Sequence, residues 1–253
     1  MIKIIVPISG GKDSQACLKL ALLEYDKSEV MGLFCDTKFE HPLTYAHIKN
    51  ISEMYGVEIV TINAGSVEEK IIKHKRFPSG TARFCTDQLK IIPSKKFYKK
   101  HAEENGGFQV WYGMRAGESH ERASRYSDKL NTETYAPHDV ISNYPKYLDK
   151  LGVSFRLPVL NLSTEDIFEI LGGEQNPLYS HGFERVGCFP CIAGGDKSKE
   201  RAFQFDETGR KHYAIVKALE PLTGHSIWRS KGGALRNNEN QSDVFEGCAI
   251  CAM

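Results

Sequence analysis

Residues 8–14, Ile-Ser-Gly-Gly-Lys-Asp-Ser, constrain this chain more than any other stretch. They follow an apolar run, residues 2–8, and precede residues 14–25, which lack β-branched side chains and are rich in good helix formers. Strand, glycine turn and helix in that order open a parallel α/β sheet. The two glycines let backbone N–H groups approach an anion, and a helix N-terminus adds roughly half a positive charge. Lys12 adds a full charge, and Ser9 and Ser14 offer hydroxyl hydrogen bonds. The loop is not Walker A, because Val6 stands where that motif has its first glycine, and it is not G-x-G-x-x-G. A plain strand-to-helix turn is the alternative, and it leaves the lysine and two hydroxyls without a purpose.

Strand and helix patterns alternate beyond the loop. Residues 29–37 read as a second strand, and residues 42–56 as a helix with proline at its start and glycine at its end. Residues 57–63, 108–115 and 154–162 read as further strands. A helix follows with Ser163 as N-cap and Gly172 as its stop. The expected fold class is therefore α/β with a parallel, Rossmann-like sheet and right-handed crossovers. The expected division is one domain over residues 1–228 and a polar, Gly/Asn-rich flexible tail over 229–253 that ends in Cys-Ala-Ile-Cys.

The 253 residues, 41% hydrophobic and 26% charged with a net charge of +1, suit an ordinary soluble protein. No apolar run is long enough to span a membrane. The first residues read as a strand and not as a leader, so a cytoplasmic location is expected. Seven cysteines in a long chain argue against a disulfide scaffold. Cys17 and Cys35 lie in apolar runs and read as core. Cys85, Cys188, Cys191, Cys248 and Cys251 lie among Gly, Pro, Arg and Thr, where thiols serve as ligands or redox groups. Four thiolates suit a 4Fe–4S cluster or a structural zinc. The terminal Cys248/Cys251 pair reads equally as a ligand pair or a mobile redox dithiol.

The segment Ser9–Ser14 resembles the PP-loop of the adenine nucleotide alpha-hydrolase superfamily. Further segments resemble the phosphoadenosine phosphosulfate (PAPS) reductase-like branch of it. These are Asp36-Thr37 with His41-Pro42-x-Thr44, and Arg83-x-Cys85-Thr86 with Leu89-Lys90-x-x-Pro93. Gly113-x-Arg115-x-x-Glu118-Ser119-x-x-Arg122 and Pro177-Leu178-Tyr179 leading to Arg185-x-Gly187-Cys188-x-x-Cys191 complete the set.

The resemblance implies an adenine nucleotide alpha-hydrolase fold with a cysteine-bearing C-terminal region. It implies that Ser9, Gly10, Gly11, Lys12, Asp13 and Ser14 hold the pyrophosphate part of ATP with Mg²⁺. Asp36, Gly113, Arg115, Glu118 and Arg122 would line the nucleotide or substrate pocket. Arg115 and Arg122 suit bidentate phosphate or sulfate contacts. Asp36 would meet the ribose or a metal, unless it is a strand-end cap. Glu118 would orient an arginine or hold Mg²⁺, unless it belongs to a surface ion-pair helix. Cys85, Cys188 and Cys191 would hold a 4Fe–4S cluster, with zinc as the alternative. Reductases of the family carry an adjacent Cys-Cys pair where this chain has Cys85-Thr86, so a fourth ligand would come from Cys248 or Cys251, or one iron would stay open.

Three functions follow as expectations. The first is an ATP-using enzyme that adenylates a substrate and supports sulfur transfer, of the nucleic-acid thiolation or phosphorothioation type, with Lys12, Arg115, Cys248 and Cys251 as the catalytic set. The second is a sulfonucleotide reductase that forms sulfite. Against it, such reductases have a degenerate loop and a Glu-Cys-Gly-x-His tail, whereas this chain keeps the whole loop and ends Glu-Gly-Cys-Ala-Ile-Cys. The third is a non-catalytic nucleotide-binding module with a structural metal. Expected partners are an adenine nucleotide, a sulfur donor or thiol reductant protein, and a second copy of the chain as a homodimer. Residues 68–101 carry ten Lys and Arg against three acids, which suits either a nucleic acid backbone or a solvated helix face.

Overall fold

The computed structural model describes residues 1–80 and 82–228. The expected tail, with Cys248 and Cys251, lies outside the described residues. Six strands form one sheet: β1 (Ile4–Ile8), β2 (Val30–Asp36), β3 (Ile59–Asn63), β4 (Gln109–Trp111), β5 (Thr134–Tyr135) and β6 (Ser154–Arg156). Their order is β3-β2-β1-β4-β6-β5, and every pair is parallel except β5–β6. The chain therefore winds outward from β1 through β2 to β3, then returns to β1's other side with β4. The crevice between β1 and β4 is the topological switch point, where open α/β sheets place their ligands.

The α/β parallel-sheet reading holds, with corrections at β4, where the strand expected over 108–115 spans only Gln109–Trp111, and at the sheet edge. The strand expected over 154–162 is only three residues long, because Pro158 has no N–H to give a ladder and the chain turns away after Arg156. The antiparallel edge strand β5 is two residues long and carries no apolar run that could announce it.

Central strands are covered on both faces, as their unbroken apolar runs require. Ile5 faces one layer with Leu33, Tyr98, Val110 and Phe155. Ile4, Val6 and Ile8 face the other, with Leu18, Ile51, Trp111 and Ile167. Each such side chain contributes about 1.5–3 kcal/mol on burial. Helix α1 (Lys12–Glu24) starts directly after the glycine pair, and α2 (Pro42–Tyr55) starts on Pro42 and ends at Gly56, whose φ is 63°. Helix α3 (Val67–His74) opens with a capping box of Ser66 and Glu69. The helix Thr164–Leu171 has the expected Ser163 cap and Gly172 stop, the latter at φ 59°. A further apolar cluster, with Phe39, Val67, Leu89, Ile192, Phe203 and Leu219, gathers α3 and the helices Asp196–Phe205 and Glu207–Thr223 beside the carboxyl end of β2.

Candidate functional site

The glycine loop closes on itself before it meets any ligand. Ser14 Oγ donates to the Gly11 carbonyl at 2.9 Å and accepts the Ser9 N–H at 3.2 Å. Ser9 Oγ accepts the Gly11 N–H at 3.3 Å and lies 3.2 Å from Ser14 Oγ. Both hydroxyls therefore take part in hydrogen bonds within the loop. Gly10 takes φ 74°, and a Cβ there would meet Thr44 Cγ2 at 2.4 Å, so only glycine fits. The first N–H groups of α1 have no acceptor within the helix.

Charge gathers around this turn. Lys12 is 7% exposed; burial pushes its ammonium pKa down, Asp13 opposes this, and Arg115 and Arg185 add to the lowering. Lys12 Nζ lies 3.5 Å from Asp13 Oδ2, and Arg115 Nε lies 2.5 Å from Asp13 Oδ1. Arg115 arrives from the end of β4. Gly113 makes that approach possible, because a Cβ on it would lie 2.7 Å from the Ser14 nitrogen and the Asp13 carbonyl carbon. Lys12 and Arg115 both lie against the Asp13 carboxylate, so positive charge is concentrated at the switch point.

The other residues expected in the pocket are engaged with neighbours in the chain, Glu118 with the Arg115 N–H at 3.5 Å among them. Glu118 and Arg122 form an ion pair with each other, and Arg122 is fully buried. Asp36, 3% exposed at the end of β2, accepts the Lys38 N–H and the Tyr45 hydroxyl, each at 2.8 Å, and pairs with Lys38 Nζ at 2.6 Å. Burial pushes its carboxyl up, but those hydrogen bonds outweigh it and hold the pKa below the ordinary value.

Asn176 and Tyr179 belong to the site although spacing alone does not reveal them. Asn176 Nδ2 donates to the Gly10 carbonyl at 3.1 Å, and the Lys12 N–H donates to the Tyr179 hydroxyl at 2.9 Å. Their one sequence signal is the Pro-Leu-Tyr run, which carries no role by itself.

The same segment leads into the cysteines. Cys85, Cys188 and Cys191 line one pocket with Thr37, Phe39, Val67, Arg83, Lys90 and Ile192. Cys17 and Cys35 are buried elsewhere, and the five described cysteines are free thiols. Cys188 pairs through its backbone with Glu40, and its Sγ lies 3.4 Å from Thr37 Oγ1 and 3.8 Å from Glu40 Oε1. Glu40, 5% exposed, also accepts from Thr37 Oγ1 at 2.6 Å and from Tyr45 at 3.1 Å. Burial pushes the Cys188 thiol up to about 12, with Lys90 pulling the other way and Glu40 adding to the rise.

Three thiols, a buried lysine and an arginine around an apolar pocket fit an anionic metal–sulfur group held by thiolates. Among the described residues, no group of three His, Cys, Asp or Glu could hold a single metal ion.

The basic stretch divides. Lys99 and Lys100 pair with Glu103 and Glu104 at 3.6 and 3.8 Å on the helix Ile92–Asn105, as a solvated face would. Lys90 turns inward instead and is 6% exposed. No helix of the described residues is long and apolar enough to cross a membrane.

A Methanocaldococcus jannaschii protein of uncharacterised function is 28% identical over 193 residues, covering 75% of this chain and 36% of its own. An uncharacterised Escherichia phage 186 protein is 30% identical, covering 74% of this chain and 66% of its own. This chain thus spans less than two thirds of either relative. Among solved structures, a PAPS reductase from Candida auris in complex with phosphate has 15% identity, covers 75% of this chain and 82% of its own, and gives a TM-score of 0.48. The U34-tRNA thiolase NcsA from Methanococcus maripaludis, with its 4Fe–4S cluster, has 17% identity, covers 100% and 80%, and gives 0.47. The model of the phosphoadenosine phosphosulfate reductase domain matches residues 3–194, from the start of β1 past the third pocket cysteine. By that match the chain belongs to the phosphoadenosine phosphosulfate reductase domain family.

Proposed function

We propose that this chain is an ATP-using enzyme that adenylates a substrate and supports sulfur transfer to it. The observation that carries the reading is the complete glycine loop at the switch point, with Lys12 and Arg115 gathered on Asp13 beside it. In the reaction, a substrate oxygen attacks the α-phosphorus of ATP and pyrophosphate leaves. The negative charge growing on the leaving group is met by Lys12 Nζ, Arg115 and the first N–H groups of α1, already in place and shielded from water. Asp13 holds the two cations apart until the polyphosphate arrives. Asp36 or Glu118 would hold the Mg²⁺ that accompanies ATP.

Cys85, Cys188 and Cys191 would hold a 4Fe–4S cluster, which supplies an iron able to bind and present sulfide. Lys90 and Arg83 offset the charge of the thiolates there. Cys248 and Cys251 remain proposed as further ligands or as a redox dithiol. A sulfur donor or thiol reductant protein is the proposed partner, and a nucleic acid is one class of acceptor.

A second reading is favoured by the family itself: reduction of a sulfonucleotide to sulfite. One experiment separates the two. The protein is purified without oxygen and supplied in turn with ATP and with PAPS. Pyrophosphate release supports adenylation. Sulfite release with a thiol reductant supports reduction. A colourless zinc protein that turns over neither supports a non-catalytic binding module.

A further inference from the structure

The loop N–H that a phosphate oxygen would take is already engaged. Gly11 caps α1 with no side chain of its own, and the N–H of Lys12 donates to the Tyr179 hydroxyl. A phenol oxygen is a neutral acceptor. A phosphate oxygen is charged, and hydrogen bonds to charged groups are roughly twice as strong. The two acceptors compete for one N–H, and the phosphate is the stronger.

The segment carrying Tyr179 lies directly on the loop. Asn176 ties it to the Gly10 carbonyl. A methyl group on Gly11 would meet the Val186 carbonyl oxygen at 3.0 Å and the Tyr179 hydroxyl at 3.4 Å. That carbonyl presents partial negative charge to the place where a polyphosphate would come. Two residues on, Cys188 is paired with Glu40, and the Phe189 N–H donates to the Phe39 carbonyl at 2.6 Å. One short segment therefore touches the phosphate loop at one end and lines the cysteine pocket at the other.

We propose that Tyr179 is a place-holder for a nucleotide phosphate oxygen, and that its displacement shifts residues 179–188 and so reports loop occupancy to the cysteine pocket. The inference rests on the nucleotide reading of the loop. Tyr179 is a positioning residue in this scheme: it guards the N–H and does not bind the phosphate. Ligand binding acts here only through its preference for the displaced state.

The test uses the full chain, prepared without oxygen, with α,β-methylene ATP and Mg²⁺. Calorimetry measures binding, and hydrogen exchange measures residues 179–188. In the wild type the analogue should raise exchange there at least about threefold. Tyr179→Phe keeps the ring but lacks the hydroxyl. It should exchange rapidly without ligand and bind the analogue about 2- to 10-fold more tightly, the range expected when one net hydrogen bond no longer has to break. Binding without a change in exchange in the wild type overturns the inference and leaves the nucleotide reading standing. Weaker binding by Tyr179→Phe overturns it too, since the hydroxyl would then be a phosphate ligand. No binding by the wild type removes both.

Discussion

Arg115 Nε lies 2.5 Å from Asp13 Oδ1, and this contact fastens the end of β4 to the start of α1 across the switch point. Asp13 is shared with Lys12, so one carboxylate balances two buried cations. Removing one partner of a buried pair costs about 3–5 kcal/mol, less where solvent reaches it. Arg115→Gln should therefore destabilise the fold by about 2–4 kcal/mol. Adding Asp13→Asn should deepen the loss, because it strips buried Lys12 of its carboxylate as well, and a urea-unfolding cycle of the single and double variants reads the coupling.

Lys12→Ala should leave the fold intact by circular dichroism. Pyrophosphate release from ATP should fall at least about 100-fold, the usual scale for losing one group that meets transition-state charge. Unchanged turnover would remove Lys12 from the site.

Gly113→Ala places a Cβ 2.7 Å from the backbone of Asp13 and Ser14. No side chain lies there to swing away, so β4 and α1 must separate. A loss of about 1–3 kcal/mol is expected, with nucleotide binding weakened beyond what the stability change explains. Calorimetry and thermal unfolding read the two effects separately.

His47 supplies a pH dependence. Its Nε2 donates to Gln15 Oε1 at 2.8 Å, and burial lowers its pKa to about 4. The unfolded chain takes up this proton near pH 6.5 and the folded protein only near 4, so the unfolded state binds more protons between those values. Stability from this group is full above about pH 6.5 and falls as pH drops toward 4. The drop approaches about 3 kcal/mol. His47→Gln should flatten that part of the profile, measured as urea midpoints at pH values of about 7.5, 5.5 and 4.5.

Cys85→Ser, Cys188→Ser and Cys191→Ser should each lower iron and acid-labile sulfide in protein purified without oxygen. Cys17→Ser, whose thiol is buried away from the pocket, should not. Equal iron in all four would detach the cluster from these cysteines.

The first strand, the loop, α1, β2 and α2 could be read from sequence because their signals are local. Apolar runs, a glycine pair, Pro42 and Gly56 each mark their own position. The edge of the sheet was harder. Three-residue strands such as β6 are held by their neighbours' ladders, and Thr134–Tyr135 has no pattern at all. The site divides in the same way. Lys12 and the pocket cysteines stand out by residue type. The inward use of Ser9 and Ser14, the burial of Glu40 beside Cys188 and the contact of Tyr179 with Lys12 depend on segments far apart in the chain.

The bond from Asn176 to the Gly10 carbonyl spans 166 positions. Its consequence concerns biosynthesis. A ribosome has delivered every residue of the glycine loop long before the side chain that braces it has left the exit tunnel. The nascent chain therefore carries the loop's residues without its finished shape. A polypeptide cut short after β6 should inherit that same defect, its Gly10 carbonyl left without the Asn176 donor.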